Sequence, residues 1–331
     1  MRIAIIGAGG WGTALARLAA RQHHQVRLWA FEAEVVDSIR NRRANEIFLP
    51  GVELPAALQV TNDLEEATRD ADAVLTAVPS QHLRKVLEQA APHVPTNALM
   101  VSATKGIEEK SLLRMSEVIE QVMNDRLGPG VIVLSGPTFA REVAEDQPTA
   151  LVAASSRPDL ARKVQEELSS LTLRVYTNDD VVGVELGGAV KNVIAIAAGV
   201  CAGLGLGHNP AAALITRGLA EISRLSLALG GRRETLAGLA GMGDLVLTCT
   251  GHLSRNRTVG YELGKGKSLE EILASMRMVA EGVPTTHATL SLAEAHGVEM
   301  PITFQMDRLL NGKTTPGEAI RELMSRPLKV E

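Results

Sequence analysis

Short apolar runs alternate with amphipathic stretches through the first half of the chain. The apolar runs predict strands at residues 3–6, 25–30, 73–78, 98–102, 131–134, 150–154 and 173–176. The amphipathic stretches predict helices at residues 11–21, 34–43 and 81–90. Strands that alternate with helices in this way indicate βαβ units and a parallel sheet.

After about residue 180 the pattern becomes helical. Apolar positions at helical spacing predict helices over residues 181–202, 211–229, 269–276, 285–295 and 304–311, separated by Gly-rich turns and polar loops. Asn178, Asp179 and Asp180 mark a turn and a helix start. We therefore expect an α/β protein with a Rossmann-type, parallel-sheet N-terminal domain over residues 1–180 and an all-α C-terminal domain over residues 181–331.

Composition narrows the class of protein. The 331 residues are 45% hydrophobic but only 2% aromatic, so aliphatic side chains must build the core. The net charge of −4 does not indicate nucleic acid or an anionic membrane as a partner. An uncharged, glycine-rich stretch over residues 193–207 is shorter than the roughly 18–20 residues of a membrane span, and a buried helix is expected there.

Cysteine usage and the first residues bear on location. Cys201 and Cys249 show no metal-ligand spacing, and two cysteines do not suggest a disulfide framework. Met1 and Arg2 lead directly into a strand, which is not the pattern of a signal peptide. We expect a cytoplasmic protein without a metal site.

A glycine-rich turn carries the first candidate chemistry. Residues 7–12 form G-x-G-x-x-G between a strand and a helix. Gly7 permits the tight turn, Gly9 allows a pyrophosphate to approach the backbone, and Gly12 lets the helix pack against the strand. The helix N-terminus offers free N–H groups to phosphates. The turn predicts a dinucleotide site, and the alternative is a glycine-rich turn without a ligand.

The end of the second predicted strand does not decide between NAD(H) and NADP(H). An acidic residue at its end binds the adenine-ribose 2′-hydroxyl of NAD, whereas an arginine there accommodates the 2′-phosphate of NADP. The strand ends near Ala30, Glu32 follows shortly after, and no arginine stands at the tip. The choice between NAD(H) and NADP(H) is not made by this pattern.

Lys191 is the only cation of an apolar helical segment, with Gly187 and Gly188 on the same face. Two glycines inside a helix suggest that a ligand or another helix approaches closely. A desolvated lysine has a lowered pKa, which suits it to proton transfer. A lysine that extends from a core helix to solvent explains the pattern equally well.

A second segment, residues 238–260, combines many small residues with one carboxylate, Asp244, and with Ser254, Arg255 and Asn256. Hydroxyl, guanidinium and amide donors this close together suit a phosphate, although a solvated basic loop is the alternative. Residues 133–140 and Lys105 follow predicted strands, where ligands of doubly wound sheets bind.

Taken together, these motifs resemble the soluble, bacterial-type NAD(P)-dependent sn-glycerol-3-phosphate dehydrogenases over essentially the whole chain. The matching stretches are GAGGWGTALA at 7–16, SATKGIE at 102–108, LSGPTFA at 134–140, ELGGAVKNVIAIAAG at 185–199, GLAGMGDL at 238–245, SRNR at 254–257 and VAEGVPTT at 279–286.

The resemblance implies reversible reduction of dihydroxyacetone phosphate to sn-glycerol 3-phosphate, the backbone of glycerophospholipids, by a homodimer that uses NAD(H) or NADP(H). It makes Lys191 the proton donor and acceptor. The substrate positions that it implies are Lys105, Gly136, Thr138, Lys191, Asp244, Ser254, Arg255 and Asn256. The dinucleotide positions are Gly7, Gly9, Gly10, Trp11, Gly12, Phe31, Lys105, Ala140, Arg255, Val279 and Glu281.

Two departures from the family pattern concern the coenzyme. Gly10 stands where serine is common, and Phe31 stands where a basic or polar residue is common. The second departure weakens an inherited preference for NADP. Two other readings compete: a two-domain dehydrogenase acting on a hydroxyacid, which has less reason for residues 254–256, and a dinucleotide-sensing regulatory protein, which needs no positioned Lys191.

Overall fold

The computed structural model describes residues 1–128 and 130–328. Within these residues, one sheet occupies the first half of the chain. Its strands are β1 (Arg2–Ile6), β2 (Gln25–Trp29), β3 (Gln59–Thr61), β4 (Ala73–Thr76), β5 (Leu99–Ser102), β6 (Val131–Ser135), β7 (Thr149–Ala154) and β8 (Leu173–Asn178). The strand order is β3-β2-β1-β4-β5-β6-β7-β8.

The Rossmann-type sheet predicted from the sequence is confirmed, with one difference in strand direction. Strands β1 to β6 run parallel, but β7 pairs with β6 antiparallel and β8 runs parallel to β7. Strand β3 was not predicted, because three residues are too few to show an alternating pattern. The parallel strands bring their carboxyl ends to one edge, where a doubly wound sheet binds ligands.

Helices cover both faces of this sheet. They are α1 (Gly10–Arg21), α2 (Ala33–Arg42), α3 (Leu64–Thr68), α4 (Leu83–Ala90), α5 (Met115–Met123), α6 (Ala140–Ala144) and α7 (Pro158–Leu168). The predictions for α1, α2 and α4 are confirmed, and the other four were not predicted. Helices α3 and α6 span five residues each, which is too short for a helical repeat to show.

The second half is helical, as predicted. Its helices are α8 (Val181–Gly203), α9 (His208–Ala228), α10 (Arg233–Leu236), α11 (Asp244–Thr250), α12 (Arg255–Gly264), α13 (Leu269–Ser275), α14 (Gly282–Ala295), α15 (Pro301–Leu310) and α16 (Pro316–Met324). Leu239–Gly243 forms a π-helical turn ahead of α11. The five predicted helices are present with ends shifted by up to three residues.

The segment around residues 254–257 is a helix start and not the solvated basic loop that was the alternative interpretation. The Ser254 hydroxyl accepts a hydrogen bond from the Arg257 N–H at 3.2 Å and caps α12. A serine N-cap satisfies an otherwise free helical donor. Polar composition suggested a loop here because the cap and the first helical turn are themselves polar.

Helix α8 is the centre of the second half. It is long and apolar enough to span a membrane by composition, but 89% of its most apolar window is buried inside the protein. The expected buried helix is therefore confirmed, although it begins earlier than the uncharged stretch did. Other helices of the second half, among them α9, α11, α12 and α14, pack around it.

Glycines let α8 and α12 cross with their backbones in contact. A β carbon on Gly199 would lie 2.1 Å from the Arg257 carbonyl oxygen, and one on Gly260 would lie 1.9 Å from the Ile196 carbonyl oxygen. A side chain at either position would force the helices apart. The crossing fixes the start of α12 against the middle of α8.

We expect Gly260→Ala to destabilise the protein by about 1–3 kcal/mol, because the added methyl group meets backbone that cannot move aside. The midpoint and slope of urea unfolding measure this change. Gly317→Ala is the matched control, since the nearest atom to its added carbon is the flexible end of Arg321 at 4.0 Å. That control is expected to gain about 0.4–1 kcal/mol. Equal stability of Gly260→Ala and the wild type would contradict the close crossing.

Candidate active site

Helix α8 holds Lys191 with its ammonium group inside the protein. The residue is 6% exposed, and its Nζ forms an ion pair with the Asp244 carboxylate. It also donates a hydrogen bond to the Thr248 hydroxyl at 2.9 Å. Both partners lie on α11, one helical turn apart. Lys191 therefore does not extend to solvent, and that alternative explanation of its place in the helix was wrong.

Asp244 joins Lys191 to a second lysine. Lys105 Nζ lies 2.7 Å from the other Asp244 carboxylate oxygen and donates a hydrogen bond to the Gly136 carbonyl oxygen at 3.0 Å. Lys105 follows β5 and Gly136 follows β6, at the carboxyl edge of the sheet. The sheet and the helical half thus meet at one carboxylate shared by two ammonium groups. With both lysines protonated this cluster carries one excess positive charge.

Burial lowers the pKa of Lys191 to about 8, from an ordinary value of 10.5, because an ammonium group is poorly solvated there. The negative charge of Asp244 opposes this shift, and the positive charge of Lys105 adds to it. A lysine in this range exchanges a proton near neutral pH, which is what general acid–base chemistry requires.

The two glycines before Lys191 have a packing reason. A β carbon on Gly188 would lie 2.4 Å from the Ser135 hydroxyl oxygen, and one on Gly187 would lie 2.5 Å from the Ala240 carbonyl oxygen. The end of β6 and the π-helical turn therefore press against α8. This close approach places Lys105 and Asp244 beside Lys191.

The start of α12 adjoins this cluster through an amide pair. Asn256 donates a hydrogen bond to Asn192 at 2.8 Å, and its carbonyl oxygen accepts one from the Gly282 N–H at 2.8 Å. Arg255, next to it, donates to the Val279 carbonyl oxygen at 2.8 Å. Ser254, Arg255 and Asn256 are thus brought to the Lys191 region by the α8–α12 crossing. Thr138 donates to the Gly136 carbonyl oxygen at 3.1 Å on the opposite side.

Glu281 connects the helical half to the loop after β4. Its carboxylate accepts hydrogen bonds from the Ser80 N–H at 3.2 Å and from the Ser80 hydroxyl. Burial raises the pKa of Glu281, and these hydrogen bonds and the Arg255 charge oppose the rise. A β carbon on Gly106 would lie 3.4 Å from the same carboxylate, so Glu281 also adjoins the Lys105 segment.

The glycine-rich turn has the geometry of a phosphate cradle. Gly7 has φ +116°, and a β carbon there would lie 2.8 Å from the Ala77 backbone, so only glycine fits. Helix α1 begins at Gly10 without a side-chain cap, so its first N–H groups are free. Gly9 has no heavy atom within 4 Å of its β-carbon position, so the ligand side is open. These features fit a dinucleotide pyrophosphate.

The connection after α2 closes one side of this turn. Asn45 donates hydrogen bonds to the Ala8 carbonyl oxygen at 2.8 Å and to the Thr13 hydroxyl at 2.9 Å. A β carbon on Gly10 would lie 2.9 Å from the Phe48 carbonyl oxygen and 3.6 Å from the Ala140 β carbon. The absence of a side chain at position 10 therefore lets the connection approach the turn. Ala140 therefore lies beside the turn.

Two other predicted coenzyme-binding residues, Phe31 and Trp11, are only partly held by contacts with the rest of the protein. Phe31 is 78% exposed beyond β2, and its ring meets the Trp29 ring edge-on at 6.3 Å. Trp11 is half-buried in the first turn of α1, and its indole nitrogen has no hydrogen-bond partner in the described part of the chain. Both sit at the glycine-rich end of the site.

Sequence reasoning missed four residues at this site. Thr248 and Asn192 contact the predicted residues Lys191 and Asn256, and their positions one turn after Asp244 and next to Lys191 are signals that could have found them. The other two are Ser80 and Phe48. Ser80 binds a carboxylate 201 residues away, and Phe48 lies in a long connection, so no local pattern marks either one.

Other candidate chemistry is not supported. Among the described residues, no group of three His, Cys, Asp or Glu side chains is placed to hold a metal ion. Cys249 is buried, and burial raises the pKa of its thiol to about 12. A thiol in that state is a packing group rather than a nucleophile.

Comparison with known proteins relates the whole chain to one family. The model of the NAD-dependent glycerol-3-phosphate dehydrogenase N-terminus matches residues 2–161, and that of the C-terminus matches residues 180–321. The glycerol-3-phosphate dehydrogenase [NAD(P)+] of Koribacter versatilis is 61% identical over 100% of this chain and 98% of its own length. That of Citrifermentans bemidjiense is 54% identical with the same coverage.

A crystal structure supports the same relationship. Glycerol-3-phosphate dehydrogenase from Coxiella burnetii superposes with a TM-score of 0.93 at 42% identity, covering 98% of this chain and 99% of that one. The fold described above agrees with this likeness. The chain belongs to the NAD-dependent glycerol-3-phosphate dehydrogenase family.

Proposed function

We propose that this chain catalyses the reversible reduction of dihydroxyacetone phosphate to sn-glycerol 3-phosphate with NAD(P)H, with Lys191 as proton donor and acceptor. The observation that carries the proposal is the buried Lys191–Asp244–Lys105 cluster at the carboxyl edge of a dinucleotide-binding sheet. The names of the family's relatives supply the substrate, and the residues of this chain supply the roles that follow.

The coenzyme is held along the carboxyl edge of the sheet. The turn at Gly7, Gly9, Gly10, Trp11 and Gly12 and the free N–H groups of α1 would hold its pyrophosphate. Phe31 and Ala140 flank the same end, and Lys105, Arg255, Val279 and Glu281 line the path toward Lys191. When bound, the coenzyme supplies the hydride.

The substrate lies against the lysine cluster with its phosphate toward α12. Arg255 offers a guanidinium group, and Ser254 and Asn256 offer a hydroxyl and an amide, at the capped start of α12. Lys105, Gly136, Thr138 and Asp244 border the other side. An excess positive charge at a buried site favours an anionic substrate. A hydroxyacid substrate without a phosphate would leave residues 254–256 without a group to bind.

Lys191 handles the proton. In reduction its ammonium form stabilises the negative charge that develops on the C2 oxygen and then donates a proton to that oxygen. In oxidation its neutral form removes the proton of the C2 hydroxyl. Asp244 orients the ammonium group, because both of its oxygens are bound to lysines. Thr248 fixes a second direction of the same group.

Domain organisation, assembly and location complete the proposal. We place the division between the dinucleotide-binding domain and the helical substrate domain at residues 180 and 181, where β8 gives way to α8. The protein functions as a homodimer in the cytoplasm and supplies the backbone of glycerophospholipids.

Replacement of Lys191 tests the catalytic role directly. Wild-type protein is expected to oxidise NADH or NADPH when dihydroxyacetone phosphate is added, and Lys191→Met should lower kcat by about 10²–10⁴-fold because the proton donor is lost. Coenzyme affinity, measured by calorimetric titration, should change little. Near-normal turnover of the variant would exclude Lys191 as the acid, and no turnover by the wild type would exclude the reaction.

The pKa of Lys191 predicts the pH dependence. Reduction needs the protonated form, so its kcat/KM should fall as pH rises through about 8, whereas that of oxidation should rise through the same range. Asp244 raises this pKa, so Asp244→Asn should move the falling limb of reduction to lower pH. Thr248→Val removes a hydrogen bond without a charge and is the control, expected to shift the limb less. If the falling limb of the pH profile of Asp244→Asn coincides with that of the wild type, Lys191 is not the group that titrates there.

Arg255→Ala tests the phosphate subsite. Loss of a charge-assisted hydrogen bond should raise KM for dihydroxyacetone phosphate by about 10- to 100-fold. Unphosphorylated dihydroxyacetone, measured in parallel, should be a poor substrate of both the wild type and Arg255→Ala. Its kcat/KM should differ little between the two proteins. An equal loss with both substrates would place Arg255 outside the phosphate subsite.

A further inference from the structure

The end of β2 lies directly beside the glycine-rich turn. The Gly7 N–H donates a hydrogen bond to the Trp29 carbonyl oxygen at 3.0 Å, and the Ala30 N–H donates one to the Thr61 carbonyl oxygen at 2.9 Å. Residues 30–32 therefore leave the sheet between the turn and the end of β3. In Rossmann folds this is where the adenine ribose of a dinucleotide lies.

Glu32 occupies this corner with its carboxylate uncommitted. It follows Gly12 by 20 residues, a spacing typical of the acid that binds a ribose 2′-hydroxyl. It is exposed and stands at the N-cap of α2 without a side-chain hydrogen bond to the helix. Within residues 1–128 and 130–328 its carboxylate has no hydrogen-bond or salt-bridge partner, so it is available to a ligand.

The surrounding charge is negative. The three segments that follow β1, β2 and β3, residues 7–12, 30–34 and 62–66, contain no Lys, Arg or His. They contain five carboxylates, at Glu32, Glu34, Asp63, Glu65 and Glu66. A phosphate monoester carries about −1.5 to −2 charges at neutral pH. A 2′-phosphate placed here would meet only charges of its own sign from these segments.

The nearby arginines are engaged by other protein groups. Those of β2, α2 and its C-cap each donate a hydrogen bond elsewhere: Arg27 to the Glu66 carbonyl oxygen, Arg40 to that of Val60, Arg42 to the Ser38 hydroxyl and Arg43 to the Leu58 carbonyl oxygen. None of these partners belongs to residues 30–34. Neutralising a 2′-phosphate would require one of these arginines to abandon its contact.

Resting on the proposed function and going beyond it, we infer that Glu32 accepts a hydrogen bond from the adenine-ribose 2′-hydroxyl, so that the chain selects NAD(H) over NADP(H). Phe31, exposed beside Glu32, would offer its ring to the adenine. Selection then has two sources: a hydrogen bond gained from the hydroxyl and a like-charge repulsion that opposes the phosphate.

Titration of the purified full-length protein with NADH and with NADPH, in the absence of substrate, tests the inference. The Kd for NADH should be at least about 10-fold below that for NADPH. Glu32→Gln should reduce this ratio by about 10-fold, and Glu32→Arg should invert it. Glu34→Gln is the matched control: it removes one repelling carboxylate of the same segment but not the hydrogen bond to the ribose, so it should lower the ratio much less than Glu32→Gln does.

The possible outcomes separate this inference from the proposed function. Equal affinity of the wild type for both coenzymes, binding of neither coenzyme, or the same change in Glu32→Gln and Glu34→Gln would overturn the role of Glu32. Preferential binding of NADH without oxidation by dihydroxyacetone phosphate would overturn the proposed reaction and leave the coenzyme selection intact.

Discussion

The shared Asp244 carboxylate is the interaction on which the rest of the site depends. It is fully buried between the ammonium groups of Lys105 and Lys191, which come from the sheet edge and from the central helix. A buried charge without its partner strongly destabilises the folded protein. Separating either lysine from this carboxylate would leave such a charge, and this keeps both lysines in place. The two halves of the chain are therefore held in register at the lysine cluster, which is the proposed place of the reaction.

Close backbone packing makes this register possible. Gly188 admits the Ser135 side chain against α8, and the crossing of Gly199 with α12 places Asn256 beside Asn192. Larger residues at the glycines would separate the elements by more than a hydrogen bond can bridge. Small residues in α8 thus determine which polar groups reach Lys191, and the same packing removes water that would otherwise hold the pKa of Lys191 near its ordinary value.

The parts of this protein that follow from the sequence are those with a local cause. The glycine-rich turn is recognisable because it lies between a predicted strand and a predicted helix. Lys191 is recognisable because it is the single cation of an apolar helical segment. The pairing of Lys105 with Asp244 spans 139 residues, and that of Ser80 with Glu281 spans 201, so neither has a local signature. Residues 254–257 show that a local pattern can also be ambiguous, since a capped helix start and a polar loop have the same composition.

The site has opposite charge at its two ends, and this contrast follows from what each end must hold. At the reacting end, two lysines outnumber one carboxylate, which suits a phosphorylated substrate and a developing oxyanion. In the middle, the free backbone N–H groups of α1 suit a pyrophosphate, and the turn has no charged side chain. At the other end, where we infer the ribose to lie, the charged side chains of residues 30–34 and 62–66, after β2 and β3, are all carboxylates. A ligand with its negative charge in the middle and hydroxyl donors beyond β2 would match this distribution of charge, and this match is the physical basis of the inferred preference for NAD(H).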